Sequence, residues 1–227
     1  MMKTAAILPA YNEEISIGSV VLRTKKFVDH VLVVDDGSDD STSEIAQIAG
    51  AEVIKHSTNQ GKGAALKTGF KAVNGYDIIV TLDSDGQHNP TEIPKLLAPI
   101  KKGEADIVNG SRYLNGKDKE TPFYRRIGQS VLDKATYINS RIEITDSQSG
   151  FRAFAKNTIP AFKFNSNGFS IESEMIREMA ENKFKVEEVE IGVRYDVNGS
   201  TKNPISHGFG VLMRIMLDMG FQRLNRK

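Results

Sequence analysis

The chain has no cysteine and no tryptophan, and its 30 Lys and Arg against 29 Asp and Glu leave a formal net charge of +1. Without cysteine there is no disulfide framework, no thiolate nucleophile and no Cys-based metal site. A near-neutral balance argues against a globally basic surface, so no nucleic-acid partner is expected. The apolar run near the N-terminus, residues 3–8, is too short for a signal peptide. No stretch approaches the ~18 consecutive apolar residues of a membrane span. A soluble or peripheral protein is expected. Glycine fingerprints are missing too. No G-x-G-x-x-G follows the first strand and no G-x-x-x-x-G-K-[ST] occurs anywhere, which disfavours a nicotinamide cofactor and a P-loop. There is no internal repeat, and no Ser-His-Asp or Cys-His device for a covalent nucleophile.

What is present is an ordinary globular composition, 39% hydrophobic and 26% charged over 227 residues, enough for one large domain or two small ones. The first half alternates strands and helices. Strands are predicted at 4–8, 30–35, 52–55, 78–82 and 105–109. Helical patterns fall between them: after Asn12 as a plausible N-cap, at 43–49, at 64–72 and at 91–101. The run His30 to Asp35 is continuously apolar before its acid, as in a parallel strand covered on both faces. This order predicts a mostly parallel α/β sheet with helices on both sides.

The chemistry concentrates where strands end. Ile78, Ile79, Val80 and Leu82 run into Asp83-Ser84-Asp85-Gly86-Gln87. Two carboxylates one residue apart, with an amide beyond, present hard oxygen ligands suited to Mg²⁺ or Mn²⁺. Pro9 to Glu13 and Asp35 to Asp39 are polar clusters at the ends of two other strands. In a parallel sheet these ends share one edge, where such folds bind ligands, so the three clusters are expected to converge. A metal on Asp85 would hold a diphosphate and neutralise it as a leaving group. The loop Asn59-Gln60-Gly61-Lys62-Gly63 adds one cation at a helix start. From the residues alone the reading stops at a metal-assisted nucleotide-diphosphate site with an unknown second substrate.

Pro9-Ala10-Tyr11-Asn12-Glu13-Glu14, Val34-Asp35-Asp36-Gly37-Ser38, the Gln60-Gly61-Lys62-Gly63 loop and Leu82-Asp83-Ser84-Asp85-Gly86-Gln87-His88 occur in that order. As a set they resemble the motif series of the family-2 glycosyltransferases, in the branch of dolichyl- or polyprenyl-phosphate sugar synthases. The resemblance covers roughly residues 4 to 205. It implies the GT-A fold: one domain over 1–227, with a Rossmann-like, mostly parallel sheet, a nucleotide-binding half (1–112), an acceptor and sugar half (113–205) and a C-terminal amphipathic helix (206–227). It implies donor contacts from Pro9, Tyr11, Glu13, Asp35, Asp36, Lys62, Asp83 and Ser84, and a metal on Asp85 and Gln87. Arg112 would reach the acceptor phosphate. Asp146-Ser147-Gln148-Ser149-Gly150-Phe151-Arg152 matches the segment that closes over the sugar, with Asp146 on the donor. Arg126 and Ser130, four apart on a helical face, resemble the pair that binds the lipid phosphate. Arg194 and Lys202 are the basic candidates over the diphosphate or acceptor phosphate, and Glu172 borders the sugar pocket.

The resemblance also implies the partners: a nucleotide-sugar donor (GDP-mannose, UDP-glucose or UDP-GlcNAc), a polyprenyl phosphate and the cytoplasmic face of a membrane. Residues 114–141 interleave Lys117, Lys119, Arg125 and Arg126 with apolar groups, and 209–224 carry an apolar helical stripe. Each reads either as a packed amphipathic helix or as one lying on a membrane. Two other activities stay open. One is extension of a glycan, which needs a base; the processive type is disfavoured because its Q-x-x-R-W segment requires tryptophan. The other is a sugar-nucleotide nucleotidyltransferase, or a non-catalytic binder.

Overall fold

A computed structural model describes residues 2–114, 137, 142, 144–164, 168 and 171–193. The alternating first half is β1 (Thr4–Ala10), α1 (Ile17–Thr24), β2 (His30–Asp35), α2 (Thr42–Ile48), β3 (Glu52–Lys55), α3 (Lys62–Ala72), β4 (Ile78–Thr81), α4 (Ile93–Lys102) and β5 (Ile107–Ser111). There follow β6 (Arg152–Ala155), α5 (Ile171–Glu181) and β7 (Val186–Glu190). The seven strands form one sheet in the order β3-β2-β1-β4-β6-β5-β7.

The sheet is mixed, and β6 is the reason. It runs antiparallel to β4 on one side (Thr81 opposite Arg152) and to β5 on the other (Asn109 opposite Arg152). All other pairs are parallel. The sequence reading anticipated the five strands of the first half and not β6. Four residues reading Arg-Ala-Phe-Ala are too short to show a period, and the preceding motif masks them.

Residues adjacent along each central strand feed opposite faces. Leu8, Val33 and Val80 pack with Ile17, Val21 and Leu96 from α1 and α4. Ile7, Leu32 and Ile79 pack with Phe70 of α3, Phe154 and Ile176 of α5. This two-sided burial is the cause of the unbroken apolar runs. At Gly69 a side chain would collide with Ile7, so α3 lies close on the sheet.

β1 extends through Pro9, beyond its last register pair with β4 (Ile7 opposite Thr81). There the ladder on that side has ended and a missing N–H is tolerated. Asn12 does not cap α1. Its φ is +55°, a left-handed conformation that Asn adopts more readily than most residues, and Ser16 holds the cap position. The Asn12 amide oxygen instead accepts from the Asp39 N–H at 3.0 Å, while the Asn12 N–H donates to the Ser38 hydroxyl at 2.9 Å.

Candidate active site

The carboxyl ends of β1, β2, β4 and β5 and the start of β6 lie on one edge, and short bonds lace them. The Ser84 hydroxyl donates to the Pro9 carbonyl at 2.6 Å, joining the exits of β4 and β1. The Asp36 N–H donates to the Ala10 carbonyl at 2.8 Å, joining β2 to β1. The Glu13 N–H donates to the Thr42 hydroxyl at 2.8 Å. Ser84, expected on the donor, is buried with its hydroxyl committed to this lacing. Tyr11 stands 38% exposed at the rim, a position open to a ligand.

Three carboxylates converge here. Burial, with Asp85, Asp83 and Asp40 close by, pushes the Glu13 carboxyl up to about 7 against a hydrogen bond from Ser16. Burial and the charge of Asp83 push Asp85 up to about 6, although the Gln87 N–H donates to it at 2.9 Å. Asp83 behaves oppositely. Burial alone would raise it, but the cations Lys62 first, then Arg112, hold its carboxyl below the usual range. The Lys62 ammonium lies 2.6 Å from Asp83 and 2.7 Å from Glu172. Burial would strip its proton; the two carboxylates outweigh this and keep it charged. One Glu172 oxygen has no hydrogen-bond partner among the described residues, and neither has Nδ1 of buried His88. Burial drives the His88 imidazole down to about 4, so it stays neutral.

This donor set fits a hard divalent cation. Glu13 and Asp85 are held in an excess of negative charge that a cation would relieve, and Asp85 with the Gln87 amide offers oxygen ligands. Among the described residues no group of three or more His, Cys, Asp or Glu side chains is gathered to hold an ion. A cation here would therefore draw part of its shell from outside the protein.

Two turns frame the cluster. Asp35 is fully buried, accepting from the Ser38 N–H at 2.9 Å and from the Ser43 hydroxyl. These bonds and Lys55 outweigh its burial and hold the carboxyl low. Asp36, expected on the base or ribose, turns to the next loop and accepts from the N–H groups of Gln60 (3.0 Å) and Gly61 (2.7 Å). Gly37 (φ +79°) makes this approach possible, since a Cβ there would fall on the backbone of Thr58 and Asn59.

The segment before β6 forms the other wall. Arg112 and Asp146 pair bidentately, at 2.6 and 2.7 Å. Asp146 is fully buried and Arg112 is 19% exposed, so the carboxylate expected on the donor aims the guanidinium instead. Arg152 is 1% exposed. It donates to the Asn109 side-chain oxygen (2.8 Å) and to the carbonyls of Ser147 (2.8 Å) and Glu172 (3.1 Å). Asn109 donates onward to the Asp146 carbonyl (3.1 Å) and to Glu188 (2.9 Å). At Gly150 a side chain would collide with the Asp83 carboxylate, so this loop presses directly on the acid pair. No role was assigned in sequence to His56, His88, Asn109 or Glu188. Only the histidines carried a signal: His88 closes the Leu82–His88 motif, and His56 stands just before the Asn59–Gly63 loop.

The structure thus brings together Pro9, Tyr11, Glu13, Asp36, Lys62, Asp83, Asp85, Gln87, Arg112, Asp146 and Glu172. Arg126, Ser130, Arg194 and Lys202 lie outside the described residues, as do most of 114–141 and all of 209–224. No helix among the described residues is long and apolar enough to cross a membrane.

Residues 5–159 match a family model described as glycosyl transferase family 2. The UDP-N-acetylglucosamine–dolichyl-phosphate N-acetylglucosaminyltransferase of Methanococcus voltae is 34% identical, over 94% of this chain and 95% of its own. The undecaprenyl-phosphate mannosyltransferase of Micrococcus luteus is 32% identical, over 84% and 83%. The dolichol-phosphate mannosyltransferase of Pyrococcus furiosus is 35% identical over 77% of this chain, but only 52% of its own length. Among solved structures, glucosyl-3-phosphoglycerate synthase of Mycobacterium tuberculosis, in complex with Mn²⁺, UDP and phosphoglyceric acid, matches with a TM-score of 0.76. That match covers 95% of this chain and 76% of the other at 24% identity, a likeness of fold that agrees with the GT-A arrangement.

Proposed function

Since the chain belongs to glycosyl transferase family 2, we propose that it transfers a hexose from a nucleotide-diphospho-sugar to a polyprenyl phosphate, dolichyl phosphate included, with inversion at the anomeric carbon. The observation that carries the reading is the acid cluster of Glu13, Asp83 and Asp85, sharing one sheet edge with the cationic Lys62. Three named relatives act on polyprenyl-type phosphates, which supports the acceptor class.

In this scheme a phosphate oxygen of the acceptor bonds to the anomeric carbon. The bond from that carbon to the diphosphate breaks, and the electron pair leaves with the nucleoside diphosphate. A phosphate is already anionic at pH 7, so no general base is required. Asp83 suits this: paired to Lys62 and held at low pKa, it is a poor proton acceptor and a good fixed partner for a sugar hydroxyl. Lys62 keeps its charge and meets diphosphate oxygens. Arg112, aimed by Asp146, is assigned to the acceptor phosphate together with Arg126 and Ser130, and Arg194 and Lys202 are the basic candidates for the diphosphate or the acceptor phosphate. Tyr11 and Pro9 line the base. Mg²⁺ or Mn²⁺, held by Asp85 and Gln87, supplies charge neutralisation on the departing diphosphate when bound. With a lipid acceptor, the protein works at the surface of a membrane.

The test is direct. Purified protein is offered labelled GDP-mannose, UDP-glucose and UDP-GlcNAc with polyprenyl phosphate in detergent, with and without Mn²⁺, and solvent-extractable label is counted. Metal-dependent label in the lipid phase from one donor is expected. Label only in soluble glycans, or full activity in excess chelator, would overturn the proposal.

A further inference from the structure

His56 lies just past β3, outside the acid cluster, and the scheme above gives it no work. Its imidazole spans two elements. Nδ1 lies 2.7 Å from Oδ1 of Asp36 and Nε2 lies 2.9 Å from the hydroxyl of Thr68, on α3. The side chain is only 10% exposed, and that of Asp36 only 4%. The Asp36 carboxylate offers an acceptor, so Nδ1 donates to it, and Nε2 pairs with the Thr68 hydroxyl. The same Asp36 carboxylate takes the N–H groups of Gln60 and Gly61. Gly61 is the N-cap of α3, with φ at +97°, and offers no side-chain cap of its own. The next residue is Lys62, whose ammonium bridges Asp83 and Glu172.

We propose that His56 is a positioning residue: it fixes the Asp36 carboxylate, which caps α3 at Gly61 and thereby sets where Lys62 meets the donor. A carboxylate with three N–H donors, each from a different residue, is held in one orientation. Removing the imidazole takes away the donor that stops Asp36 from rotating about its side-chain torsions. The Gln60–Gly61 turn then loosens, and Lys62 is presented over a wider range. Because Lys62 stands on the donor side, the loss falls on the donor and not on the acceptor. The role in catalysis rests on the transferase reading; the mechanical link from His56 to the loop does not.

The experiment compares His56→Ala, His56→Gln and His56→Asn with the wild type in the full chain. Asn keeps an N–H near the position of Nδ1 and can still donate to Asp36. Gln keeps one near Nε2 and cannot. Two readouts are taken. The first is amide hydrogen exchange over residues 57–66 without ligand, which needs no activity. His56→Ala and His56→Gln should lose protection there, and His56→Asn should retain it. The second is steady-state transfer. Donor KM should rise roughly tenfold in Ala and Gln, the loss expected for one charge-assisted hydrogen bond, with acceptor KM unchanged and Asn near wild type. Unchanged exchange in His56→Ala overturns the link. Looser exchange with donor KM unmoved, or Gln rescuing better than Asn, overturns the positioning role. A wild type that transfers nothing to polyprenyl phosphate sinks the transferase reading, while the exchange arm still decides the link.

Discussion

Single side chains in the cleft do opposite things with the same chemistry, and their surroundings decide which. Asp83 and Asp85 are two residues apart, yet one is pinned low by an ammonium and the other pushed up to about 6. Replacing Asp85 with Asn should cut transfer at least ~100-fold, the scale of losing one electrostatic group at a reacting centre, with the melting temperature unchanged or raised. A loss of folding instead would mark Asp85 as structural. The pH dependence has a definite sign. Glu13, from 4.5 to about 7, and Asp85, from 3.8 to about 6, bind protons more tightly folded than unfolded. Their contribution to stability is complete below about pH 4 and is lost as pH rises through 6 to 7. Thermal melts of metal-free protein should therefore weaken across that window, and Glu13→Gln should flatten the slope. Mn²⁺ should restore more stability at pH 7.5 than at pH 5.5, because at low pH it competes with protons. Asp146→Asn should release Arg112 from its bidentate partner, raising acceptor KM with donor KM little changed.

Individual elements show what sequence patterning can and cannot carry. The central strands β1, β2 and β4 were legible because burial on both faces leaves an unbroken apolar run, while β3, half-exposed at the sheet edge, still coincides with its predicted span, 52–55. The cluster at the carboxyl edge followed from the same logic. β6 was hidden, since four residues give no period and its neighbours in space, β4 and β5, are distant in sequence. The start of α1 was misplaced because Asn12 looks like a cap but serves the Asp39 turn. Ser84 and Asp36 were legible as site residues, but not that their polar atoms face the protein's own backbone. Only coordinates reveal which way a carboxylate turns. Gly150→Ala tests the element that presses on Asp83. A methyl there collides with the carboxylate, so transfer should collapse while the far-ultraviolet circular dichroism stays native. Phe154→Ala, on the other face of β6, should do the reverse, costing about 3–5 kcal/mol in denaturant melts with kinetics of the folded fraction preserved.

Taken as a whole, the molecule is a sheet whose two halves meet at one strand. β4 belongs to the first run of alternating strands and helices, β5 ends that run, and the two do not pair, because β6 arrives from far down the chain to separate them. Parallel pairing with β1 covers only one edge of β4. A polypeptide cut after residue 112 would keep the motifs at the ends of β1, β2 and β4 and still present a bare apolar ladder where Arg152–Ala155 should lie, a template for self-association. Residues 1–112 taken alone are therefore expected to associate rather than stay monomeric, because the strand that closes the open edge of β4 lies outside them.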